Sequence, residues 1–202
     1  GMFAPFPIFH QKINSTVKIH NFSHPSERRA APLTLLKGCR DTKPQLSYGT
    51  LGEVLATIPD PENKALIEFT NALQTARDQS DNPGAYKELK ETQSPAFILG
   101  KYQGTKNADC LEYLPCLAFD VDGCELPAVA LQIIRELSAL PYVYAAFLSP
   151  SGRGVRFLVW ANSTFQTHKD HYFAILGAVS ASIGLPGATM VRHKHKGTSP
   201  KE

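Results

Sequence analysis

Asp120 and Asp122 stand one residue apart in the run Leu117-Ala118-Phe119-Asp120-Val121-Asp122-Gly123. On an extended strand that spacing turns both carboxylates to one face, where two hard oxygen donors can hold a divalent cation. An anion placed after an apolar run is expensive to bury alone, so the pair calls for a cation or a helix amino terminus nearby. The competing reading is a turn at Asp122-Gly123 with Asp120 as its cap. A second group follows in Ser149-Pro150-Ser151-Gly152-Arg153-Gly154 and Arg156. Gly152 and Gly154 allow backbone N–H groups to approach a phosphate, the Ser149 and Ser151 hydroxyls can donate to it, and Arg153 with Arg156 can neutralise it. The alternative is a hairpin turn that uses glycine for positive φ and leaves its arginines in solvent.

The elements between these groups decide whether they meet. Leu114 to Phe119 is an apolar strand-like run, and Pro127 opens a helix lined on one side by Val129, Ala130, Ile133, Ile134, Leu137 and Leu140. Tyr142 to Leu148 reads as a second strand and Val155 to Trp160 as a third, paired as a hairpin because the connection is too short for anything else. Thr167 to Ile183 is a second amphipathic helix, and Ala188 to Arg192 can supply a fourth strand. The order βαββαβ is the split βαβ arrangement. The fold class expected is therefore α+β, with an RRM/ferredoxin-like core over residues 114–192. In that topology the first two strands are parallel and the third lies antiparallel between them, so the carboxyl end of the first shares an edge with the 149–154 hairpin.

Upstream, residues 1–49 are rich in Pro, Ser and His, with short alternating pieces such as Thr16 to Ile19 suited to edge strands. Thr50-Leu51-Gly52-Glu53 has capping-box spacing and predicts a short helix to Ile58. Asp60-Pro61 gives another helix start, continued by Ala65, Leu66, Phe69, Ala72, Leu73 and Ala76. Asp81-Asn82-Pro83-Gly84 breaks it, a short basic helix covers Tyr86 to Lys90, and Ala96 to Gly100 reads as a strand. Residues 50–192 then form one α/β domain, with the core at its carboxyl side and a basic tail or linker over 193–202.

A net charge of +3 over 202 residues is too small to establish nucleic-acid binding by long-range field alone. Positive charge gathers instead at the end, from Arg192 to Lys201. Cys39, Cys110, Cys116 and Cys124 form no Cys-x-x-Cys pair, which argues against a zinc site and for reduced thiols. No apolar run reaches the roughly 20 residues of a membrane span and the amino end lacks a secretory pattern, so the reading is cytoplasmic, with no membrane partner. Gly1 before Met2 has the look of a residue left by tag removal and is set aside. His168 and His171 fit the polar face of a helix, and Tyr142, Tyr144 and Trp160 fit sheet packing, unless one of them stacks a base.

Tyr86-Lys87-Glu88-Leu89-Lys90, Pro95-Ala96-Phe97, the segment Leu117 to Gly123 and the segment Phe147 to Arg156 together resemble the amino-terminal domain of virulence-associated E-type proteins of bacterial mobile elements. The core of that family is similar to the catalytic module of the archaeo-eukaryotic primase superfamily. The resemblance implies that Asp120 and Asp122 are metal ligands for nucleotidyl transfer, with Mg2+ or Mn2+ as cofactor. It further implies that Ser149, Ser151, Gly152, Arg153, Gly154 and Arg156 hold a nucleoside triphosphate, that nucleic acid is a partner, and that a helicase-like domain follows. The chain departs from that pattern twice. Gly184 to Met190 lacks the third acidic residue, and arginines stand where active primases commonly carry a histidine. A non-catalytic single-stranded nucleic-acid-binding module on the same fold is therefore a second expectation. A third is a rolling-circle-type nicking domain, drawn from the alternate histidines of His193-Lys194-His195.

Overall fold

A computed structural model describes residues 18–19, 25–36, 46–58, 62–79, 83–124, 126–183 and 189–190. In chain order the elements begin with β1 (Lys18–Ile19), α1 (Pro25–Arg29), β2 (Pro32–Leu36), β3 (Leu46–Thr50), α2 (Leu51–Thr57), α3 (Lys64–Asp78) and α4 (Pro83–Gln93). They continue with β4 (Ala96–Tyr102), β5 (Cys110–Tyr113), β6 (Cys116–Asp122), α5 (Pro127–Ser138), β7 (Val143–Leu148), β8 (Gly154–Trp160), α6 (His168–Ser182) and β9 (Thr189–Met190). The fold is mixed α+β with two sheets, ordered β1-β5-β4-β2-β3 and β7-β8-β6-β9. Neighbouring strands are antiparallel except β1 beside β5.

In the four-stranded sheet, β8 lies between β6 and β7 and runs antiparallel to both. The helix α5 carries the chain back so that β6 and β7 point the same way, and Pro127 sits in its first turn, where a missing N–H has no cost. Side-chain alternation gives β6 two different faces. Leu117, Phe119 and Val121 join Val155, Phe157 and Val159 of β8 in a core closed by Ala130, Ile133 and Leu137 of α5 and Tyr172, Leu176 and Val179 of α6. The opposite face carries Cys116, Ala118, Asp120 and Asp122. The five-stranded sheet covers one end of that face, packing Leu33, Leu114 and Phe97 with Leu51 against Cys116, Leu158 and Trp160. A buried contact also ties the sheets, since the Tyr113 hydroxyl lies 2.7 Å from Ser163 Oγ and 2.9 Å from His168 Nδ1.

Several boundaries differ from the sequence reading. The strand expected at Leu114 begins at Cys116 and runs through Asp122, because Leu114-Pro115 is the link from β5, a short strand the periodicity does not reveal. Both aspartates therefore sit inside the ladder; the turn comes after them, at Gly123 with φ +83°. The long helix begins at Lys64, where Asn63 Oδ1 accepts from the Leu66 N–H at 3.1 Å; Asp60-Pro61 lies outside the described residues. The capping box at Thr50 and Glu53 is present, with the Thr50 N–H donating to Glu53 Oε2 at 2.7 Å and the Glu53 N–H to Thr50 Oγ1 at 3.3 Å. Of the piece Thr16 to Ile19, residues 18–19 are described, and they form an edge strand. Cys39 and the stretch from Arg192 onward, with His193 and His195, lie outside the described residues. Among those described, no helix is long and apolar enough to cross a membrane.

Cys110, Cys116 and Cys124 are free and buried. Burial pushes the Cys116 thiol up to about 12 and raises those of Cys110 and Cys124 as well. The thiolate is the nucleophile, so Cys116 is expected to resist iodoacetamide at pH ~8 in the native chain and to react in denaturant. Peptide mass mapping checks this, and alkylation of native Cys116 would contradict the packing described.

Candidate functional site

The register of β6 against β8 assembles the site. Asp120 pairs with Arg156 across the ladder and Asp122 with Gly154, so these four residues share the face left open by the five-stranded sheet. Arg156 Nε donates to Asp120 Oδ1 at 2.9 Å, with the two side chains 37% and 23% exposed. Of the two forms of compensation expected from the sequence, a cation or a helix amino terminus, the cation is the one found at Asp120. At Gly154 the reason for glycine is space. A Cβ there would lie 2.9 Å from the Val121 carbonyl, 3.0 Å from Asp122 Oδ1 and 3.1 Å from Ser149 Oγ. Any side chain at 154 would push the aspartate and the serine apart.

The hairpin is closed by two backbone bonds, Ser149 N–H to Gly154 O at 2.9 Å and Gly152 N–H to Ser149 O at 2.8 Å. Pro150 suits the second position of that turn and Gly152 takes φ +71° immediately after it. The Ser149 and Ser151 hydroxyls meet at 3.1 Å, so one donates to the other and the pair keeps a further donor hydrogen.

These groups open on one cleft. Its floor is Asp120, Asp122, Val155 and Arg156, one wall is Ser149, Pro150 and Ser151, and the other is Leu73 of α3 with Lys90 and Ser94 from α4 and its end. Five predicted residues thus come together: Asp120, Asp122, Ser149, Ser151 and Arg156, with Gly154 beside them. Two do not. The Gly152 N–H is committed to the turn, so its contribution is its left-handed φ rather than a donor. Arg153, 54% exposed, points out to Asp78 with Nη2 3.9 Å from Oδ1.

The sequence reading missed Lys90, whose Nζ also lies 5.8 Å from the centre of the Tyr86 ring. It was legible as part of a basic helix, but no local pattern says which way that helix faces. Arg77 was missed too; it donates from Nη1 to the Ser151 carbonyl.

Among the described residues no cluster of three His, Cys, Asp or Glu side chains could hold a metal. The pair Asp120 and Asp122 remains, a hard-oxygen donor set that would suit Mg2+ or Mn2+. Such ions are commonly bound by one or two carboxylates, with phosphate oxygens and water completing the shell. The absence of a Cβ at Gly154 lets Asp122 and Ser149 approach the same point.

Position separates the two arginines, Arg156 lying on β8 beside Asp120 and Arg153 on the turn before it. If the cleft takes the triphosphate that the sequence resemblance implies, Arg156→Ala weakens binding of a fluorescent ATP analogue about tenfold, the scale of one charge-assisted contact, whereas Arg153→Ala changes it less than about twofold. A fluorescence titration of both variants decides between them, and the reverse order would place the phosphates outside this cleft.

Residues 88–181 match the family described as BT4734-like, N-terminal domain, a stretch that contains both aspartates and the serine hairpin. Neither a curated protein nor a solved structure matches the chain.

Proposed function

We propose that this chain is a primase-like, metal-dependent nucleotide- and nucleic-acid-binding domain, of the kind carried by replication proteins of mobile elements. The observation that carries the reading is the convergence of Asp120, Asp122, Ser149, Ser151 and Arg156 on one open cleft. The strand order β7-β8-β6-β9 with α5 and α6 packed on one face supports an RRM-like core, since it follows split βαβ connectivity.

In this reading Asp120 and Asp122 hold Mg2+ or Mn2+. A divalent ion held there would supply Lewis-acid activation of an attacking 3′-hydroxyl and charge stabilisation for a leaving pyrophosphate. Arg156 orients Asp120 through their 2.9 Å contact and faces the phosphates with its remaining N–H groups. The Ser149 and Ser151 hydroxyls donate to phosphate oxygens, and Lys90 adds a cation from the opposite wall. A single-stranded template would pass the mouth of the cleft.

A second reading, a non-catalytic single-strand-binding module, is favoured by one observation: no third carboxylate joins the pair among the described residues. Incorporation of labelled nucleotides on a single-stranded template with Mn2+ separates the two. Extended product supports the enzyme. Strand binding that weakens with salt but yields no product, and that survives loss of the aspartates, supports the module.

A further inference from the structure

On the reading of the cleft as a triphosphate site, Ser149 and Ser151 must be held in register with Asp120 and Asp122. A hairpin tip is poorly suited to holding itself, because loop ends are the least constrained part of a sheet. The constraint comes from α3, 74 positions away in sequence, where Arg77 donates from Nη1 to the carbonyl of Ser151. Its Nε and Nη2 engage the two oxygens of Asp78 at 2.9 and 3.2 Å. The Arg77 side chain is only 21% exposed and does not line the cleft. Asp78 is held below the usual carboxylate range by its hydrogen bond with Arg77 and also faces Arg153. Three of the five guanidinium N–H donors of Arg77 are thus committed within the protein, and the side chain stands outside the cleft lining.

We infer that Arg77 is a positioning residue for the polyphosphate of a nucleoside triphosphate, acting through the Ser151 carbonyl. Fixing that carbonyl fixes the peptide that sets the Ser151 hydroxyl 3.1 Å from that of Ser149. The loop then meets the phosphates already ordered, and the ordering entropy is not deducted from binding. A purely structural strut would support the fold as a whole; this contact supports the serine wall and leaves the floor at Asp120 and Asp122, set by the β6–β8 register, independent of it.

The test compares wild type, Arg77→Ala and Arg77→Lys in two titrations, Mn2+ alone followed by electron paramagnetic resonance and a fluorescent ATP analogue in saturating Mn2+. Arg77→Ala is expected to weaken the ATP analogue about tenfold and to leave Mn2+ affinity within about twofold. Arg77→Lys keeps one donor for the carbonyl and recovers most of the loss. Unchanged ATP-analogue affinity in Arg77→Ala overturns the inference while the triphosphate reading stands. Equal losses of Mn2+ and nucleotide affinity, or no recovery in Arg77→Lys, also overturn it by making the residue a general support. A wild-type chain that binds Mn2+ but no ATP analogue removes the triphosphate reading and the inference together.

Discussion

Asp120→Asn combined with Asp122→Asn is expected to reduce Mn2+ affinity by about 10²-fold or more and to abolish nucleotide incorporation, with little change in the unfolding midpoint. The size follows from the donor set. Loss of residues that only support metal ligands already weakens metal sites about 10- to 100-fold, and this variant removes both carboxylates of the site. The small effect on stability follows from exposure. Asp120 and Arg156 are 23% and 37% exposed, so solvent screens their contact and it contributes on the order of 1 kcal/mol or less. Two like charges on one strand face also repel each other, and their removal offsets part of that loss. Calorimetric titration with Mn2+ and a thermal melt on the same sample test both halves. Retained Mn2+ binding would move the metal site elsewhere; a collapsed melt would make the pair structural.

Much of the arrangement could be read from local chemistry. The helix over Pro127–Ser138 is announced by apolar residues at three- and four-residue spacing behind a proline, and the start of α2 by Thr50 and Glu53, because these signals act within one or two turns. The meeting of Asp120 with the serine hairpin was legible through topology, since a helix between parallel strands and a short hairpin leave few ways to thread the sheet. Arg153 and Arg156 show the limit. Residue type made them equivalent, but parity on β8 turns Arg156 toward Asp120 and leaves Arg153 on the turn, facing Asp78. Gly154 was legible as a special position for a different reason. The expectation was an exposed N–H, and the structure needs the missing Cβ. Leu73, Lys90 and Arg77 were not legible at all as site residues, because the packing of α3 and α4 beside the sheet is a tertiary fact with no repeat, cap or spacing to announce it.

Phe119→Ala is expected to destabilise the chain by about 3 to 5 kcal/mol, a large part of the roughly 5 to 15 kcal/mol available to a domain. Phe119 is 1% exposed and lies between two parallel rings, Phe157 with centroids 4.9 Å apart and Tyr172 at 4.7 Å. Truncation loses the buried area and the two stacked contacts and leaves a cavity in the core. The melting temperature should fall by about 10 °C, and Phe119→Leu, which refills most of the volume, should recover more than half of that. Phe119 and Asp120 are neighbours on β6 whose side chains take opposite faces, one toward α6 and the other into the cleft. Well below its midpoint, Phe119→Ala should therefore bind Mn2+ within about threefold of wild type, while the double aspartate variant melts normally and does not bind. A melt unmoved by Phe119→Ala would contradict the stacked core. A Phe119→Ala chain that stays folded yet loses Mn2+ would mean that the two faces of β6 are not independent, and that the aspartates rely on the core for their placement rather than on the β6–β8 register.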